Sequence, residues 1–93
     1  MEPIDPFKNR DRFVQLGVAI ALIRKMRGMT QEDLADKANM SRSFLSAIEA
    51  PGVSTTFSLE VLFNIADALG VSPADLLNAA AVPDSVIKPK NEK

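Results

Sequence analysis

The chain has 93 residues, 46% of them hydrophobic and 25% charged, with a formal net charge of -1 at pH 7. That length suits one small domain. Cysteine and histidine are both missing, which excludes disulfides, thiolate chemistry and the usual zinc-ligand sets, and removes the commonest acid–base side chain.

Residues 1–10, MEPIDPFKNR, hold two prolines and no periodicity, and read as an N-terminal arm. A periodic segment then predicts a first helix from about Asp11 to Arg27, with Gly28 as its stop and Arg24, Lys25 and Arg27 basic in its last turn. Its most apolar stretch, FVQLGVAIALI, is 11 residues long and includes Gln15. A membrane span needs roughly 20 apolar residues, and the acidic start MEPIDPF does not suit a signal peptide. The chain therefore reads as soluble and untargeted, and the lack of cysteine fits a cytoplasmic setting.

Thr30 is expected to cap a second helix, with Asp33 three residues on and Leu34, Ala35 and Ala38 facing inward. Asn39 stands where the chain must turn, and Asn tolerates the left-handed conformation. Ser41 then caps a third helix, 42–50, whose apolar positions are Phe44, Leu45 and Ile48; Pro51 and Gly52 end it. After the loop VSTTF, Ser58 caps a fourth helix, 59–69, with Leu59, Leu62, Phe63, Ile65, Ala66 and Leu69 toward the core and Gly70 closing it. Ser72-Pro73 with Asp75 starts a fifth, about 73–81. The tail 82–93 carries two more prolines and scattered charge, and reads as loose. Five short helices over 11–81, and no convincing strand, make an all-α orthogonal bundle.

Residues 31–50 carry the functional signal. Leu34 and Ala38 face in from one helix, Leu45 and Ile48 from the next, and Met40 plugs the turn between them. Ala35 is small where two steeply crossing helices come closest. An arbitrary pair of amphipathic helices would seldom meet all these demands. The pattern is that of a helix-turn-helix.

On RKMRGMTQEDLA (24–35), SRSFLSAIE (41–49), SLEVLFNIADALGV (58–71) and SPADLL (72–77), the chain resembles the phage repressor and Cro type of helix-turn-helix proteins, also called the xenobiotic-response-element family. The likeness covers about residues 13–79. It implies a lambda-repressor-like five-helix domain, usually dimeric, that binds double-stranded DNA and regulates transcription. It also implies roles for particular residues. Gln31 would bond a backbone phosphate, helped by its helix N-terminus. Ser41, Arg42, Ser43, Ser46 and Ala47 would face the major groove. Arg42 is the best base reader among them, because its planar fork matches O6 and N7 of guanine. Ser43 and Ser46 would bond bases or phosphate, and Ala47 would touch a thymine methyl or leave space. Lys37 is a further phosphate candidate, with a solvated helix surface as the plainer reading. Arg24 and Glu49 match a structural salt bridge between the first helix and the end of the recognition helix.

The sequence departs from the family at Asn39, in place of the commoner Gly, and at Ala47 and Ala50, where basic or polar residues are frequent. The loop PGVSTTF lacks a Lys or Arg. Residues 1–50 carry eight basic and seven acidic side chains and residues 51–93 three and five, so the basic lean of the first half is slight. Non-specific DNA binding, which rests on neutralised phosphates, is expected to be weak.

Val18, Ala19, Ala21 and Leu22 occupy a region of the first helix that is usually charged in the family, and Val14, Val18 and Leu22 fall on one stripe. Such a stripe asks for a cover: the arm through Ile4 and Phe7, a partner subunit, or a separate protein. Leu76 and Leu77, followed by Ala79, Ala80, Ala81 and Val82, offer a second apolar end; some of them must face the core, and the rest would form a two-fold contact. Catalytic residues, a metal site and a cofactor are not expected: the carboxylates Glu32, Asp33 and Asp36 have no nucleophile or metal ligand to pair with. The reading is thus a homodimeric DNA-binding regulator. The alternative is a protein-interaction module on the same fold, such as an antitoxin-like partner-binding protein.

Overall fold

The computed structural model describes residues 9–52 and 55–80. It contains α1 (Arg10–Met26), α2 (Gln31–Lys37), α3 (Arg42–Glu49), α4 (Leu59–Leu69) and α5 (Pro73–Ala80). The arm through residue 8, and the tail with Val82, lie outside the described residues. The fold is the all-α five-helix bundle expected.

Local chemistry accounts for most of the boundaries. Thr30 caps α2 in a reciprocal box: the Asp33 N–H donates to Thr30 Oγ1 and the Thr30 N–H to Asp33 Oδ2, each at 3.0 Å. Ser41, Ser58 and Ser72 accept likewise from the N–H groups of Phe44, Val61 and Asp75. Three helices end on one device. The residue after the last turn adopts positive φ (Gly28 at 71°, Asn39 at 58°, Gly70 at 75°), and the next N–H reaches back to the final turn. Met29 N–H donates to Arg24 O, Met40 N–H to Ala35 O and Val71 N–H to Ala66 O. α3 ends differently. Ala50 is extended, so the third helix stops at Glu49, one residue short of expectation.

The Thr30 backbone N–H, then the Thr30 hydroxyl, hold the Asp33 carboxyl below the usual carboxylate range. A group whose folded pKa is depressed stabilises the fold above its unfolded pKa and loses that contribution as pH falls through the folded value. Asp33 is exposed, so the effect is modest. Asp33→Asn is expected to flatten the fall of Tm between about pH 5 and pH 3, measured by thermal melts across that range. A melt profile that falls as steeply in the variant as in the parent would place the acid sensitivity elsewhere.

The core gathers Leu16 and Ile20 of α1, Leu34 and Ala35 of α2, Leu45 and Ile48 of α3, Leu62, Ile65, Ala66 and Leu69 of α4, and Leu76 of α5. Met40 packs against it from the turn, and Phe44 is half-buried there. α1 packs on α5 and α3, and α2 bridges α3 and α4. Two core assignments are corrected: Leu59 and Phe63 are exposed. Leu62, Ile65, Ala66 and Leu69 define the buried face of α4. At about 100° per residue, Phe63 lies roughly a quarter turn or more off that face, and Leu59 sits in the first turn at its margin. Ala19 is corrected the other way, since it is buried rather than on the outer face of α1.

Candidate nucleic-acid interface

A reading helix must be held at a fixed angle before it can discriminate bases, and α3 is held at several points. Its last residue, Glu49, makes a two-point pair with Arg24 of α1. Arg24 Nε donates to Oε2 and Nη2 to Oε1, both at 2.9 Å, while Nη1 donates to the Met29 carbonyl at 2.7 Å. Arg24 is 8% exposed and Glu49 7%. The hydrogen bond that Arg24 donates to Glu49 raises its pKa above the ordinary value, against the pull of desolvation. The guanidinium therefore stays charged although buried.

α3 also comes unusually close to α1. A Cβ on Gly17, mid-helix in α1, would overlap the Ile48 carbonyl oxygen and come within 3.0 Å of its carbon. Thr55 Oγ1 donates to the Ala47 carbonyl at 3.2 Å. Phe57 meets Phe13 edge-on, with ring centroids 5.3 Å apart, which ties the chain entering α4 to the start of α1.

What this scaffold presents is the first turn of α3. Ser41, Arg42 and Ser43 are exposed, whereas Ser46 and Ala47 are half-buried. The Ser41 hydroxyl oxygen is committed to its cap, which leaves its O–H to donate. Among the described residues, Arg42 has no ion-pair or hydrogen-bond partner for its guanidinium, so the fork is free. Lys37 is exposed at the end of α2. Gln31 opens α2, half-buried, and its Nε2 donates to Glu49 Oε1 at 2.9 Å. Arg27 is spoken for: its Nε donates to the Leu69 carbonyl at 2.8 Å, closing the end of α4.

Sequence reasoning missed six of these contacts: Gly17 to Ile48, Gln31 to Glu49, Arg27 to Leu69, Thr55 to Ala47, Phe13 to Phe57, and Arg24 to the Met29 carbonyl. Only Gly17 left a usable signal, as an isolated glycine inside a strongly apolar helical run.

Of the residues named for a protein interface, Val18 and Leu22 are 47% and 58% exposed. Val14 is half-buried and Leu77 exposed. Among the described residues, no helix is long and apolar enough to cross a membrane, and no group of three or more acidic residues could hold a metal ion.

Two short helices about a left-handed turn, the second braced and presenting an arginine with no partner among the described residues, make a helix-turn-helix. The Helix-turn-helix family model matches residues 20–76, more than half of the chain, and the protein belongs to that family, in its phage repressor and Cro branch. It is similar to an immunity repressor protein of Bacillus phage phi105, with 46% identity over 56 residues that cover 60% of this chain and 38% of the repressor. The chain thus spans well under half the length of that curated relative. Its structure resembles the restriction-modification controller protein C.AhdI from Aeromonas hydrophila, with a TM-score of 0.64 and 28% identity over 69% of this chain and 94% of that one. It also resembles C.Esp1396I bound to a 25-base-pair operator site, with a TM-score of 0.69 and 31% identity over 83% and 96% of the two chains.

Proposed function

We propose that the protein binds a palindromic operator as a homodimer in the cytoplasm and regulates transcription without a cofactor. The observation that carries this reading is Arg42: exposed, unpartnered among the described residues, and set at the start of a helix braced by α1 and α2. Its fork would take O6 and N7 of a guanine. Ser43 and Ser46 would add bonds to bases or phosphate, and Ala47 a thymine methyl contact or clearance. Gln31 and Lys37 would fix the register on phosphate. The likeness to C.Esp1396I, whose structure is of an operator complex, supports the same docking. For the two-fold contact, Leu77 on α5 is available and Leu76 is not, because Leu76 is fully buried. Two recognition helices would then lie about 34 Å apart, one turn of DNA.

The test is selection of bound duplexes from a random library at low salt, with Arg42→Ala in parallel. The parent is expected to enrich a palindrome whose half-site centres are about one helical turn apart. The variant is expected to lose about tenfold to a hundredfold in affinity per half-site, with relaxed choice at one guanine position. Failure of the parent to enrich any sequence would overturn the reading.

One observation favours a second reading. Val18 and Leu22 stand open on α1, where an antitoxin-like protein-interaction module on this fold would hold its partner protein. Function lost on substitution of Val18 and Leu22, and retained in Arg42→Ala, would select that reading instead.

A further inference from the structure

The Gln31 carboxamide is not a free surface group. Its Nε2 donates to Glu49 Oε1 at 2.9 Å, and that same oxygen accepts from Arg24 Nη2 at 2.9 Å. One buried carboxylate thereby joins the end of α1, the first residue of α2 and the last residue of α3. A carboxylate in this pair only accepts, whereas a carboxamide has a donating and an accepting end. Glu49 can therefore face only the nitrogen of Gln31. That contact decides which way round the amide lies: one N–H is used, and the second N–H and Oε1 point elsewhere.

We propose that Glu49 is a positioning residue for DNA binding, acting through Gln31. It orients the carboxamide before DNA arrives, so that the remaining N–H is presented to a phosphate oxygen. This rests on the reading of Gln31 as a phosphate ligand. Two consequences follow from elementary chemistry. Rotamer freedom of a long polar side chain is lost on folding rather than on binding, which strengthens the contact by preorganisation. The negative charge of Glu49, close to where phosphate would sit, is balanced by the Arg24 guanidinium that it already holds.

The experiment is a double-mutant cycle on the full chain, read as affinity for the duplex enriched from the library. The variants are Gln31→Ala, Glu49→Gln and both together, each checked for folding by its melting curve. In Glu49→Gln the new amide can donate or accept toward Gln31, so the orientation is no longer dictated. Gln31→Ala alone should weaken binding about tenfold, and Glu49→Gln should weaken it comparably. The double variant should lose little beyond either single one, within about twofold. If Glu49→Gln fails to fold, the apolar pair Arg24→Met with Glu49→Met takes its place, because it removes the carboxylate without leaving a buried charge alone. Gln31→Ala should then cost less than about twofold in that background. An equal cost of Gln31→Ala with and without the carboxylate would overturn the proposal and leave Glu49 a purely structural partner of Arg24. No cost of Gln31→Ala in the parent would instead remove the phosphate reading itself, as would a library that yields no enriched duplex.

Discussion

Gly17→Ala lowers stability by about 3 kcal/mol or more, the upper end of what overpacking a core costs. The ordinary expectation for this exchange is the opposite. Alanine is favoured over glycine by about 1 kcal/mol inside a helix, so a helical Gly with open space beside it gains from the substitution. Here the added methyl meets backbone, namely the carbonyl of Ile48, with the Glu49 Cα 3.4 Å away. No rotamer change can clear a main-chain carbonyl, so α3 must move bodily away from α1. That movement would loosen the Arg24–Glu49 pair, which is made by the neighbouring residue of the same helix end. In a domain of this size the melting temperature should fall by more than about 12 °C, followed by far-ultraviolet circular dichroism. Affinity for DNA should fall with it, although Gly17 is buried and offers no surface to a ligand. A variant that melts at or above the parent would mean that the two helices lie farther apart than described.

The second large effect is expected at Arg24. Arg24→Ala leaves the Glu49 carboxylate buried with only the Gln31 amide as partner. Breaking a buried pair from one side typically costs about 3–5 kcal/mol. Both partners are more than nine-tenths buried, so solvent screening does not discount the figure as it would at a surface. Against a total stability of about 5–15 kcal/mol for a small domain, a loss of that size brings the variant close to unfolding at 37 °C. The companion variant separates specificity from stability. Arg24→Met combined with Glu49→Met removes both charges and should return stability to within about 1 kcal/mol of the parent, while the carboxylate that orients Gln31 is gone. Denaturant titration of both variants checks the pair of expectations. Equal losses in the single and the paired variant would show that the guanidinium contributes through its bond to the Met29 carbonyl rather than through Glu49.

Much of the fold was legible in the linear chain because helix ends are local events. Thr30 and Ser41 announce helix starts through side chains that reach three residues ahead, and Gly28, Asn39 and Gly70 announce stops through a backbone conformation that few residues adopt. The turn between α2 and α3 was legible for the same reason. Apolar spacing also identified Leu34, Leu45, Ile48 and Ile65 as core, since each lies near the middle of its helical face. The exposed place of Arg42 followed from its position just past the cap. Leu59 and Ala19 are misassigned at the edges of their helical faces, and Phe63 on its apolar type alone, since it lies well off the buried face of α4. A residue at the edge of a face is buried or exposed according to the neighbour that covers it, and periodicity carries no information about that neighbour.

The same division separates the two halves of the functional argument. Caps, stops, the central core positions of each helix and the place of Arg42 just past its cap follow from residues a few positions apart, and residue types specify them. The bracing of α3 depends on atoms that are distant in the chain: Gln31 and Glu49 are 18 residues apart and Arg24 and Glu49 are 25, and the tie from Arg27 to the end of α4 at Leu69 spans 42. Those contacts exist only because α1, α2, α3 and α4 pack as they do, and the close approach of α3 to α1 requires the absence of a Cβ at Gly17.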